Sequence, residues 1–307
     1  MSATSQSARF YIDIGSSTIK TYSHSGAALD LIDEKSILFK DGFVADVGVA
    51  ADKIAALCTH FHDLAALFGL NFDNTRTYAT GIWREIPDVQ LIRIRERFHD
   101  DTTIPFNVIS HSDEARYLKQ AADLDYNRKK ALIINMGGKT TEIVTVNPDG
   151  ATRTQMLKIG VADLLNQFPN VNDPISAAAI EEMEAFVTSR LVGEEFDTDY
   201  DFALFTGELR FEKLSGYPLI PNTMFNDANH PSMVTLDGFI DGTRRIFFDL
   251  TMDDLRALMP KNPNWMSGAR PGAILPLAIF HRANIKIIVP SDLNLINGVV
   301  NEKTETQ

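Results

Sequence analysis

An α/β fold built as two layered domains around an interdomain cleft is what the sequence predicts, on three observations. Strand-like and helical segments alternate along both halves of the chain, which argues for layers of sheet and helix over an all-helical or all-β fold. The length, 307 residues and 34.1 kDa, is long for one compact domain and suits two of about 150 residues each. The opening device, a strand ending in Asp13-Ile14-Gly15-Ser16, returns 122 residues later as Asn135-Met136-Gly137-Gly138. Each half thus starts with a strand, a polar residue, a tight glycine turn and a returning strand, the mark of an internal duplication.

The first domain is placed at residues 1–128. Arg9 to Ile14 reads as a buried strand, broken by the turn Gly15-Ser16-Ser17; Thr18 to Tyr22 returns from it, and Lys35 to Lys40 is a third strand. Ala50 to Phe68 has helical periodicity, with Ile54, Leu57, Phe61 and Leu64 on one stripe. Thr75 to Thr80 is a strand, Pro87 to Phe98 a helix and Phe106 to Ile109 a short strand. Ser112 is the expected N-cap of a helix running to Ala122, with Asp113 and Glu114 in the first turn, where the helix dipole favours acid.

The polar run Asp123 to Lys130 marks the boundary, and the second domain occupies 129–307. Ala131 to Ile134 and Thr141 to Val146 are its first strands, on either side of the second glycine turn. Val161 to Arg190 is rich in helix, and the acidic run Glu194 to Asp201 reads as a solvated loop, since no closed ligand spacing is evident. Phe202 to Thr206 is a buried strand, Ala273 to Phe280 a helix, Lys286 to Val289 a strand and Leu293 to Val300 a terminal helix.

With 44% hydrophobic and 23% charged residues the chain can fill two cores and is no disordered polymer. Its net charge of −12 and pI near 5.0 repel polyanions at long range, which argues against nucleic acid and membrane surfaces as partners. Cys58 is the only cysteine, so there is no intramolecular disulfide and no cysteine-rich zinc site, and a reducing compartment is expected. No apolar run reaches the ~18–20 residues of a membrane span, and Met1 to Ala8 carries no signal-peptide core. The expected location is cytoplasmic.

Glycine turns at strand ends are good phosphate cradles, because backbone N–H groups can approach an anion closely there. A single Gly-Gly turn is more often a hairpin; two, one per duplicated domain, would aim into one cleft. Other candidates are weaker. His60 and His62 lie two apart on a presumed helix and face different ways, and Cys58 reads as a small core residue. Arg93, Arg95 and Arg97 form a basic helix edge, and Arg128-Lys129-Lys130 keeps the interdomain segment solvated.

Four stretches in order resemble the exopolyphosphatase / guanosine-pentaphosphate phosphatase (Ppx/GppA) family, a branch of the actin, sugar-kinase and heat-shock-chaperone ATPase superfamily. They are Asp13-Ile14-Gly15-Ser16-Ser17-Thr18; Ala79-Thr80-Gly81-Ile82-Trp83-Arg84-Glu85; Ile109-Ser110-His111-Ser112-Asp113-Glu114-Ala115-Arg116; and Asn135-Met136-Gly137-Gly138-Lys139-Thr140-Thr141-Glu142. Weaker echoes follow at Lys158-Ile159-Gly160, at Arg270 to Pro276, and from Ser291-Asp292 to Gly298. The resemblance implies two RNase H-like (actin-like ATPase) domains and hydrolysis of the terminal phosphoanhydride of inorganic polyphosphate or guanosine pentaphosphate. It implies phosphate binding by Gly15, Ser16, Ser17 and Thr18 and by Gly137, Gly138, Lys139 and Thr140, Mg²⁺ on Asp13 and Glu142, and catalysis by Glu114, Arg84 and Glu142. A homodimer is an analogy to relatives.

The residue types suit that chemistry: an arginine forks onto phosphate, a carboxylate positions water, and hard oxygen ligands suit Mg²⁺. Read without the resemblance, Arg84 is equally a surface ion pair with Glu85 or Asp88, and Glu114 a first-turn helix acid. The chain also departs from the family. Asn135 stands where an aspartate is expected, Lys139 and His111 where glycines are, and Ile296 where an arginine is. Lys139 either lends the charge a metal would bring or obstructs the phosphate. Two rival readings follow: a catalytically weak protein that binds polyphosphate or alarmone as a regulator, and an ATP-using actin- or kinase-like protein. The second is disfavoured because Thr206-Gly207-Glu208 supplies one glycine where a nucleotide site wants a pair.

Overall fold

The structure, a computed structural model, describes residues 9–26, 28–40, 42–44, 46–206, 216–260 and 262–305. Gly207 and Glu208, which enter the ATP-user reading, lie outside them. The chain divides into two compact units, Met1–Glu114 and Ala115–Gln307.

In the first unit, the described strands are β1 (Arg9–Ile14), β2 (Thr18–Ser25), β3 (Ala28–Ser36) and β4 (Thr75–Ala79), in the order β3-β2-β1-β4. β1 to β3 form an antiparallel meander and β4 runs parallel to β1. Ile12, Ile14 and Ile19 are fully buried and pack with the stripe Ile54, Leu57, Phe61 and Leu64 of α1 (Ala51–Phe68) and with α2 (Asp88–Thr102). The third strand therefore precedes the expected Lys35–Lys40. Gly26, at φ +64°, closes a hairpin, and β3 is an acid-rich sheet edge whose polar sequence hides its strand character. The expected strand at Phe106–Ile109 is reduced to one parallel bridge, Val108 on Ala79. His60 pairs with Asp33 of β3 at 3.1 Å, and Cys58 is buried.

The division between units falls inside α3 (His111–Ala121), ahead of the expected 128/129 boundary, because Leu118, Ala122 and Tyr126 join the core on the second sheet. The helix starts one residue before Ser112, and the capping hydroxyl belongs to Ser110, which accepts the Asp113 N–H at 3.1 Å.

In the second unit, the described strands β5 (Ala131–Met136), β6 (Thr141–Val146), β7 (Thr152–Leu157), β8 (Phe202–Thr206), β9 (Ile220–Pro221), β10 (Ser232–Thr235) and β11 (Ile287–Ser291) form a sheet ordered β7-β6-β5-β8-β11-β10-β9. β5, β6 and β7 repeat the antiparallel meander, and β8 and β11 run parallel to β5. Alternate residues fill both faces. Leu132, Ile134, Ala203 and Phe205 enter one core, and Ala131, Ile133, Phe202 and Leu204 the other. The described α-helices are α4 (Val161–Gln167), α5 (Ala177–Arg190), α6 (Leu236–Phe248), α7 (Met252–Leu258), α8 (Ala269–Arg282) and α9 (Leu295–Glu305). α8 is almost wholly buried. Its Arg270 donates to the carbonyls of Val171, Asp173, Ile246, Phe247 and Leu250, so this part of the C-terminal echo is structural.

The segment after α3 is tied down rather than merely solvated. Lys129 Nζ donates to the Met224 carbonyl at 2.7 Å, and Lys130 Nζ reaches Asp197 at 2.9 Å and Asp199 at 2.6 Å, drawing the acidic run onto β5. α9 lies against α3, and Arg116 pairs with Glu302. A Cβ on Gly298 would overlap the Tyr117 backbone carbonyl, so the helices meet there only through a glycine. Gly298→Ala is expected to lower stability by about 1–3 kcal/mol, the usual cost of overpacking against backbone that cannot yield. Denaturant unfolding measures this, and an unchanged midpoint would contradict the close approach.

Candidate active site

The repeated device is the same in both units, down to its register. Gly15 N–H donates to the Thr18 carbonyl at 2.9 Å, and Gly137 N–H to the Thr140 carbonyl at 2.8 Å. Asp13 lies opposite Lys20 across β1 and β2, and Asn135 lies opposite Glu142 across β5 and β6. In both turns the two N–H groups after the glycine, of Ser16 and Ser17 and of Gly138 and Lys139, have no backbone acceptor among the described residues. Such concave runs of N–H groups suit anions.

In the first unit the turn is held by the segment after β4. Trp83 Nε1–H donates to the Gly15 carbonyl at 3.2 Å, and Ile82 N–H to Ser16 Oγ at 3.1 Å. Gly81, at φ +63°, lies so close to Ser16 Oγ that a Cβ would overlap it. This places Arg84 at the head of a buried ion pair. Its Nη1 lies 2.7 Å from Glu114 Oε2, with the two side chains 10% and 8% exposed, and also donates to the Ile109 carbonyl at 3.4 Å. The partner is thus Glu114, not Glu85 or Asp88. Arg84 Nε and Nη2 are buried with no hydrogen-bond partner, a guanidinium edge held ready for an acceptor.

Asp13 is partly buried at the end of β1, and its buried Oδ1 has no hydrogen-bond partner. Burial pushes its carboxyl up to about 7; Lys20 opposes the rise and the nearby Glu114 charge adds to it. Sequence reasoning missed Lys20, although its place seven residues after Asp13 mirrors Glu142 after Asn135.

In the second unit, the N–H groups of Val161 and Ala162 donate to the carbonyls of Gly137 and Gly138 at 3.1 and 2.8 Å, so the start of α4 braces the loop. Asn135 Nδ2 donates to Glu142 Oε2 at 3.2 Å, and the Thr206 hydroxyl donates to Asn135 Oδ1 at 3.0 Å. Glu142 is 4% exposed. Lys139 is half-buried in this loop. Thr206 enters the sequence reading only as part of Thr206-Gly207-Glu208, and its bond to Asn135 is not foreseen there. Further along the sheet, Ser291 Oγ lies 2.7 Å from His230 Nε2, and His230 Nδ1 lies 2.5 Å from Asp227 Oδ2. Ser291 and His230 are buried from solvent and Ser291 Oγ accepts the Leu293 N–H, so this relay anchors β11 and is no exposed nucleophile.

The Mg²⁺ site expected from Asp13 and Glu142 draws one carboxylate from each unit, and neither unit by itself assembles a set of metal ligands among the described residues. Among the described residues no three His, Cys, Asp or Glu side chains gather as a metal site. Glu142 Oε2 already accepts from an amide, and burial raises the Asp13 carboxyl, disfavouring the charged form that a hard cation prefers. Among the described residues no helix is long and apolar enough to cross a membrane.

No family model and no curated protein matches the sequence. Solved structures do match. A Ppx/GppA family member from Aquifex aeolicus superposes with a TM-score of 0.70 at 17% identity, covering 97% of this chain and 98% of that one. An exopolyphosphatase-like protein gives 0.75 at 15% identity, with 97% and 99% covered. An exopolyphosphatase from Cytophaga hutchinsonii gives 0.71 at 14% identity, with 97% and 98% covered. The strand order, the paired glycine turns and these superpositions agree: the chain has the two-unit α/β fold of the Ppx/GppA structures over nearly its whole length.

Proposed function

We propose that the protein hydrolyses the terminal phosphoanhydride of inorganic polyphosphate or of a guanosine pentaphosphate. The observation that carries this reading is the buried Arg84–Glu114 pair in the unit of the first glycine turn, with two guanidinium nitrogens left without an acceptor. A terminal phosphoryl group held by the turn's N–H groups supplies that acceptor, and Arg84 then neutralises charge growing on its oxygens. Glu114 orients the attacking water and takes its proton. The water oxygen bonds to phosphorus, the bridging P–O bond breaks, and the shortened chain leaves as an oxyanion. No step runs through a divalent cation.

One observation favours the binding-regulator reading: Asn135, at the head of the second turn, brings no charge to the reaction. Phosphate release by the purified chain, with polyphosphate, guanosine pentaphosphate and ATP in parallel, separates the readings. Release from either of the first two, well above that from ATP, is expected. Turnover of ATP alone would overturn the proposal, and tight polyphosphate binding without turnover would select the regulator.

A further inference from the structure

Across four neighbouring strands of the second unit, Glu142 on β6, Asn135 on β5, Thr206 on β8 and Ser291 on β11 occupy one register row. Side chains in register share a face of the sheet, so these four form a polar row beside the second glycine turn. Glu142 is its only carboxylate. Asn135 turns its NH₂ group to this carboxyl, donating to Oε2 at 3.2 Å. That leaves Asn135 Oδ1 for the Thr206 hydroxyl at 3.0 Å, and the amide is fixed from both sides. A hard cation at Glu142 Oε2 would meet the positive end of an N–H dipole where it needs a second oxygen. Flipping the amide would present that oxygen, at the cost of the arrangement with Thr206. Ser291 brings no ligand either, because its hydroxyl is engaged by His230.

We propose that the Asn135 amide takes the place of a divalent cation in this unit: its N–H hydrogen-bonds and orients Glu142, so that the second turn meets phosphate through its backbone N–H groups and Lys139 without a metal. This goes beyond the hydrolysis proposed above. Its test measures metal binding without turnover, so its failure leaves that proposal standing, and the reverse.

The test is Mn²⁺ binding to the full chain, followed by the electron paramagnetic resonance signal of the free ion. Wild type, Glu142→Gln, Asn135→Asp and the double variant are compared. Glu142→Gln is expected to leave the wild-type Mn²⁺ affinity within about twofold, because Glu142 is not a ligand. Asn135→Asp replaces the amide by two anionic oxygens and is expected to tighten binding at least about tenfold, a gain that adding Glu142→Gln abolishes. A tenfold or greater loss of wild-type affinity in Glu142→Gln would overturn the proposal. So would an Asn135→Asp chain that binds Mn²⁺ no more tightly than wild type. Should either Gln variant fail to fold, as thermal unfolding would show, the Asn135→Asp comparison decides alone.

Discussion

Glu114→Gln is expected to slow terminal-phosphate release by about 10²–10⁴-fold, the usual worth of a positioned general base. The substitution keeps the shape of the side chain and an acceptor oxygen for Arg84 Nη1, which it meets at 2.7 Å. The loss should therefore fall on kcat, with KM nearly unchanged, as expected for a group that acts on the attacking water and not on ground-state phosphate. Arg84→Met should behave differently. It removes the guanidinium edge, raising KM and lowering kcat together, and it strands the Glu114 carboxylate, 8% exposed, without its cation. Breaking a buried pair from one side costs about 3–5 kcal/mol. Steady-state kinetics and denaturant unfolding on both variants read the two effects separately. An Arg84→Met chain of full stability, or a Glu114→Gln chain of full activity, would mean that the pair is a surface ornament.

Asp13→Asn is expected to make the first unit less sensitive to pH. A carboxyl whose folded pKa is raised favours the folded state while protonated. That contribution is fully present below the ordinary carboxylate value of 3.8 and is lost as pH rises through about 7. A rise from 3.8 to about 7 is worth about 4 kcal/mol. Wild-type stability should therefore fall between pH 4 and pH 8 by an amount that Asp13→Asn does not show. The variant's own cost, an amide in an unpartnered site, is the same at both pH values, so the difference between the two curves isolates the carboxyl. Denaturant unfolding at pH 4, 6 and 8 measures it. Parallel curves for the two proteins would contradict a raised Asp13.

The first strand, the α1 stripe and both glycine turns are legible in the sequence because each is a local signal: an apolar run, a helical period, a turn residue. The duplication is visible for the same reason, since Asp13-Ile14-Gly15 and Asn135-Met136-Gly137 carry the turn in consecutive residues. Sequence reasoning misplaces β3 because none of its residues is fully buried at this sheet edge, so burial does not enforce alternation. It misses α6, although Phe239, Thr243, Ile246 and Phe247 are buried at helical spacing. Glycines 238 and 242 lower the intrinsic helix preference there, and only packing compensates. Pro271 and Pro276 make α8 look shorter than it is, yet the first sits in the opening turn, where an N–H has no helical partner. At the site, Arg84 and Glu114 stand out individually but their bond to each other does not, because 30 residues separate them. The places of Lys20 beside Asp13 and of Thr206 beside Asn135 become evident once register pairs the strands.

The most direct measurement of the central claim is terminal-phosphate release from polyphosphate in ¹⁸O-labelled water, with the labelled phosphate counted by mass spectrometry. Hydrolysis by a water positioned at Glu114 predicts one water-derived oxygen in each orthophosphate released, and loss of that signal in Glu114→Gln. Polyphosphate that stays intact under these conditions, or phosphate that carries no label, would contradict it.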